Sequence, residues 1–122
     1  MIKGVHTMFY SAEAEALRAF LRDKLGFESF TDVGEGWLIF DMPEADMGVH
    51  PTYAGGPQPG THAVSFYCDD ISGTVKTLKA RGVEFVDAVK DAGYGLTTHF
   101  RMPGGVVVEL YQPHYRKGSA AR

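Results

Sequence analysis

Four residues of types that bind metals stand at matching places in a chain that repeats itself. His6 and His62 lie 56 positions apart, each two residues after a glycine, in Gly4-Val5-His6 and Gly60-Thr61-His62. His50 and Glu109 lie 59 apart, each in the last strand-like run of its half. Imidazole and carboxylate together suit one divalent ion: Fe, Mn, Co, Ni or Zn. Three such ligands leave positions on the ion open to a substrate, and a fourth from His50 would bring the site nearer saturation. Each residue alone has a plainer reading, as a solvated or hydrogen-bonded side chain. Their coincidence at equivalent positions of a duplication is what points to chemistry.

Three further residues are candidates to line a substrate site. His99 answers an apolar position, Ile39 or Phe40, in the other half, so a polar side chain there is out of pattern. Tyr111 alternates with Glu109 on one strand face and could donate to a bound oxygen. Trp37 could stack on a ring. Their bland counterparts are an exposed strand histidine, a core tyrosine and ordinary packing. Arg101 answers Asp41, which makes an ion pair between the two the simplest expectation. Cys68 reads as a small apolar residue rather than a reactive thiol. Glu109 shares its face with Val107 and Tyr111, so its carboxylate points toward a partly apolar interior and wants a cation there.

These residues must be positioned by short elements that recur. Gly26 and Gly82 are also 56 apart, each followed by an apolar residue and a glutamate, and Phe40-Asp41-Met42-Pro43 answers Phe100-Arg101-Met102-Pro103. In each half a strand (residues 3–10; 62–67) precedes a helix. Ser11 is placed to cap the first helix and Asp69 or Asp70 the second. Apolar stripes follow, Leu17-Phe20-Leu21-Leu25 and Ile71-Val75-Leu78, and each helix ends at a glycine. Three short strands come next, at 27–32, 36–41 and 47–50 in the first half and 84–89, 96–102 and 106–111 in the second. The pattern predicts an α+β fold of two tandem β-α-β-β-β modules, 3–50 and 61–113. The stretch 51–60, with three prolines and three glycines, links them inside one domain, and 114–122 forms a polar tail expected to fray.

Length and composition limit the remaining possibilities. The chain has 122 residues, enough for a core without staples, and a net charge of −3. That charge argues against nucleic acid and anionic membranes as partners. One cysteine excludes an intramolecular disulfide, and no apolar run approaches the ~18 residues of a membrane helix. A cytoplasmic location is the default expectation, as no apolar leader opens the sequence.

Taken in order, several short motifs resemble the vicinal oxygen chelate superfamily, which includes glyoxalases, bleomycin-resistance proteins and extradiol dioxygenases. They are Gly4-Val5-His6 with Tyr10, Leu25-Gly26-Phe27, Gly60-Thr61-His62 leading to Cys68-Asp69-Asp70-Ile71, and Met102-Pro103-Gly104-Gly105 running into Glu109-Leu110-Tyr111-Gln112-Pro113. The likeness spans residues 3 to about 113. It implies a mixed sheet curled around a central cleft, with His6, His62 and Glu109 holding one divalent metal and His50 in a fourth, variable position. It also implies a small substrate chelated through neighbouring oxygens, in a lyase, isomerase or extradiol-type dioxygenase with Glu109 as the proton-transfer base, and pairing as a homodimer. The bleomycin-binding relatives offer the alternative, a metal-free protein that sequesters an aromatic or antibiotic-like ligand.

Overall fold

The computed structural model describes residues 1, 6–49 and 51–115. Two helices, α1 (Ala14–Asp23) and α2 (Ile71–Ala80), accompany six strands: β1 (Phe30–Asp32), β2 (Leu38–Phe40), β3 (Ser65–Tyr67), β4 (Lys90–Asp91), β5 (Gly95–Met102) and β6 (Val106–Pro113). β1 and β2 form an antiparallel pair. The larger sheet runs β3-β6-β5-β4, with β3 parallel to β6 and the other neighbours antiparallel. The second half contributes β3, α2, β4, β5 and β6, and the first α1, β1 and β2, an order consistent with the expected modules although β4 lies at Lys90–Asp91 rather than 84–89. Among the described residues, no helix is long and apolar enough to cross a membrane.

The helices form where their stripes demand. Leu17, Phe20 and Leu21 recur at three- and four-residue spacing and are buried on one side of α1. Ile71 and Leu78 do the same for α2, which Asp70 caps by accepting the Gly73 N–H at 3.1 Å. Ser11 does not cap α1 as expected. The helix opens after Glu13, whose backbone N–H donates to Ser11 Oγ, while the Ser11 hydroxyl donates to the Pro103 carbonyl at 3.0 Å. Glu13 completes the link by accepting the Gly104 N–H at 2.8 Å. The start of α1 is therefore latched to the β5–β6 turn in the other half of the chain.

Several strand expectations are corrected. Residues 6–10 are not a strand: Met8 and Tyr10 are exposed, and only Phe9 turns inward, its ring 6.2 Å from that of Phe66. Residues 47–49 are irregular too, while positions 2–5 and His50 lie outside the described residues. β3 starts at Ser65 rather than His62, because only 65–67 have β6 to pair with. The expected strand 84–89 shrinks to a bridge between Phe85 and Phe100, held by Arg101 N–H to Glu84 O and Val86 N–H to His99 O, both 2.9 Å. Arg101 does not meet Asp41. Its Nε lies 3.5 Å from Glu84 on this adjoining segment, whereas Asp41 accepts the Ser29 hydroxyl. Repeat-equivalent residues here belong to different sheets.

Strand alternation divides the large sheet into two faces. Phe66, Phe100, Met102, Val108 and Leu110 meet both helices in one core, with Phe100 only 1% exposed and its ring 5.5–6.5 Å from Phe20, Phe66 and Phe85. Ser65, Thr97, His99, Glu109 and Tyr111 belong to the opposite face by register.

Phe100→Ala should cost about 3–5 kcal/mol, read as a lowered urea midpoint with little change in slope. The latch has a cleaner test, because Gly104 and Gly105 both have positive φ, +92° and +76°. A Cβ at Gly104 would overlap the Ser11 hydroxyl, whereas at Gly105 it would meet open space. Gly105→Ala should cost about 1–2 kcal/mol of backbone strain, and Gly104→Ala roughly another 1 kcal/mol for the broken latch. Equal losses would mean that the latch contributes nothing to stability.

Candidate functional site

Register brings three polar residues into one row on the helix-free face. β6 lies between β3 and β5, and Glu109 is the partner of Ser65 on one side and of His99 on the other. Ser65 Oγ donates to Glu109 Oε1 at 3.1 Å, and the Tyr94 hydroxyl donates to the same oxygen at 2.8 Å. His99 Nε2 stands 3.8 Å from Glu109 Oε2. The Glu109 side chain is about one quarter exposed, so these contacts matter more than they would in open water.

Behind His99 the row continues to Asp87, which the 84–87 segment carries alongside β5. Asp87 Oδ2 is 2.8 Å from His99 Nδ1, while Oδ1 accepts the His99 backbone N–H at 2.8 Å and the Thr98 hydroxyl at 2.9 Å. Partial burial acts to raise the Asp87 pKa. The hydrogen bonds from the His99 ring, the His99 N–H and Thr98 together outweigh it, so the carboxyl sits below its ordinary value. Asp87 is then an ionised acceptor at neutral pH, and the proton between it and His99 resides on Nδ1. In a neutral ring this leaves the Nε2 lone pair facing Glu109.

Tyr94 reaches the row from the loop between β4 and β5. Ala92 N–H bonds the Gly95 carbonyl, Gly93 N–H bonds Asp91 Oδ1, and His114 N–H bonds the Tyr94 carbonyl. Burial, and then the bond to the Glu109 carboxylate, push the Tyr94 phenol well above its usual pKa, so it remains a donor. Its ring stands edge-on to Tyr111 at 5.8 Å, and Tyr67 lies 6.3 Å beyond Tyr111. The Tyr111 and Tyr115 hydroxyls are 3.1 Å apart. A cavity of about 270 Å³ opens at this end of the tyrosine wall, bordered by Glu44, Tyr67, Asp69, Gln112 and Tyr115. Cys68 borders it as well. Burial raises its thiol pKa, and Sγ lies 3.7 Å from the Tyr111 carbonyl, the environment of an inert thiol.

The sequence candidates separate into two sets. His99, Glu109 and Tyr111 share this face. His6 and His62 are exposed and make no recorded contact with Glu109, and His50 lies outside the described residues. His6 belongs to the segment anchored by Phe9 on Phe66, on the helix-covered side. His62 lies three residues ahead of β3, outside its pairing with β6. Trp37 lies 5.1 Å over the Arg18 guanidinium of α1, away from the polar row. Among the described residues, no three His, Cys, Asp or Glu side chains are arranged to hold a metal ion. Within the row, Glu109 and His99 Nε2 face one another while Asp87 is turned to His99 Nδ1, a two-donor arrangement rather than a three-donor one. Asp87, Tyr94 and Ser65 carry no motif: strand register identifies Ser65, and the bridge beside β5 and the β4–β5 loop bring in the other two.

Comparison with known proteins agrees with this architecture. The chain is 27% identical to YetH of Bacillus subtilis (strain 168) over 118 residues, 90% of this chain and 98% of the relative. Among solved structures, a superfamily member from Sphaerobacter thermophilus is 28% identical with a TM-score of 0.58, covering 92% of this chain and 98% of its own. TnmS3, an antibiotic binding protein from Streptomyces sp. CB03234, superposes with a TM-score of 0.65 at 23% identity, covering 93% and 98%. Lactoylglutathione lyase from Agrobacterium tumefaciens does so with 0.64 at 18%, covering 92% and 95%. The last two likenesses concern the fold alone. Residues 4–110, nearly the whole chain, match the family model itself, and the chain belongs to the Glyoxalase/Bleomycin resistance protein/Dioxygenase superfamily.

Proposed function

We propose that this chain is a small-molecule-binding protein that holds an aromatic ligand on the helix-free face of β3-β6-β5 without a metal ion. One observation carries the reading: Glu109 is already engaged by the Ser65 and Tyr94 hydroxyls and flanked by His99. The carboxylate obtains from hydroxyl donors the compensation that a cation would otherwise supply. Tyr94 and the half-buried Tyr67, backed by the buried Tyr111, give a ligand ring an apolar wall, and the Ser65–Glu109–His99 row gives its polar edge hydrogen-bonding partners. The antibiotic-binding relative on the same fold accords with a binding role.

The test combines metal content with ligand binding. Untagged protein purified without oxygen should carry far less than one divalent ion per chain, and Glu109→Gln should leave that content unchanged. The probe 2-naphthol, a bicyclic ring with one hydroxyl, should bind saturably and shift the amide resonances of Tyr67, Tyr94, His99 and Tyr111. Close to one ion per chain, lost in Glu109→Gln, would overturn the proposal in favour of a metal-dependent lyase, isomerase or dioxygenase.

A further inference from the structure

We infer that Asp87 is a positioning residue that fixes the tautomer of His99, and that the polar row thereby selects ligands carrying a hydrogen-bond donor, foremost a protonated amine beside an aromatic ring. The inference rests on the binding face proposed above and specifies what that face recognises. Every partner that the structure gives the Asp87 carboxylate is a donor: His99 Nδ1, the His99 backbone N–H and the Thr98 hydroxyl. With the ring proton on Nδ1, Nε2 is an acceptor. It faces Glu109 Oε2, a second acceptor, at 3.8 Å, beyond hydrogen-bond length.

Two acceptors held face to face repel unless a donor lies between them. A single nitrogen about 2.9 Å from both atoms spans the 3.8 Å gap at roughly 82°, against about 109° between two ammonium hydrogens, so both hydrogen bonds form with a bend of about 14° each. An ether or carbonyl oxygen placed there would add a third acceptor. Ser65 and Tyr94 direct their hydroxyls to the other Glu109 oxygen and leave Oε2 on the His99 side. The exposed Tyr94 ring, packed on the buried Tyr111, can receive the aromatic part of the ligand and the rim of its positive charge.

Asparagine at position 87 would reverse the arrangement. Its one oxygen can continue to accept the His99 backbone N–H, but its amide NH2 then faces Nδ1, which must become the acceptor. The ring proton moves to Nε2, and the row presents a donor to the ligand. Thr98→Val removes one hydrogen bond to Asp87 without touching the His99 ring, and so controls for simple loosening.

The experiment uses the full chain at about pH 8, where an ordinary imidazole is neutral. Long-range proton–nitrogen correlation of His99 should give a protonated Nδ1 in the wild type and Thr98→Val, and a protonated Nε2 in Asp87→Asn. Benzylamine, titrated by amide shifts, should bind wild type and Thr98→Val alike and Asp87→Asn at least tenfold more weakly. Benzyl methyl ether, the same ring without a donor, should not bind measurably. A wild-type His99 protonated at Nε2 would overturn the inference, as would unchanged benzylamine affinity in Asp87→Asn once its tautomer has switched. If 2-naphthol binds this face and benzylamine does not, the selection for an amine is overturned while the binding face stands. If neither binds, both readings fall together.

Discussion

Most of the molecule depends on the placement of β6 between a parallel and an antiparallel neighbour. The long β5–β6 hairpin sets one register and the three-residue β3 sets the other, so Ser65, Glu109 and His99 become lateral neighbours. Period-two alternation then obliges Val108 and Leu110 to face the helices while Glu109 and Tyr111 face away. A slip of one residue in either pairing would put a carboxylate into the Phe100 core. The apolar side thus enforces the polar side, and the site inherits its precision from packing behind it.

Glu109 imposes a second condition, since a partly buried carboxylate must find donors. The strand neighbour supplies Ser65, and a loop stiffened by Asp91 and His114 supplies Tyr94. His99, the remaining neighbour, is committed elsewhere, its Nδ1 held by an aspartate from an adjoining segment. Glu109 and Asp87 are therefore unlike in role. One is satisfied by neutral hydroxyls, and the other spends its acceptor capacity on orienting a ring.

The sequence was legible where a local pattern carries the physics. The helix stripes at Leu17-Phe20-Leu21 and Ile71-Leu78, the Asp70 cap and the β5–β6 hairpin all follow from spacing alone. The repeat singled out His99 and Glu109, and alternation along β6 singled out Tyr111. A repeat aligns positions without recording which way a strand turns them, and β3 is short enough that its phase is set only by pairing with β6. The repeat failed for Arg101 and Asp41 for the related reason that equivalent positions sit in separate sheets. Asp87 and Tyr94 were invisible, since their roles arise from a non-local bridge and a loop conformation.

Coupling between the halves comes from the shared apolar core and from a small set of polar contacts. Ser11 and Glu13, ahead of α1, hold Pro103 and Gly104 in the turn that joins β5 to β6. The same helix presses Phe20 on Phe100, the residue after His99 on β5. First-half residues therefore act on the His99–Glu109 row through the hairpin that bears it, although none of them belongs to the row. A glycine is required at Gly104 because the Ser11 hydroxyl fills the space a Cβ would take, so the closeness of this approach, not turn geometry alone, constrains the residue. The two halves thus support one another: the first helps close the core while the second displays the polar face.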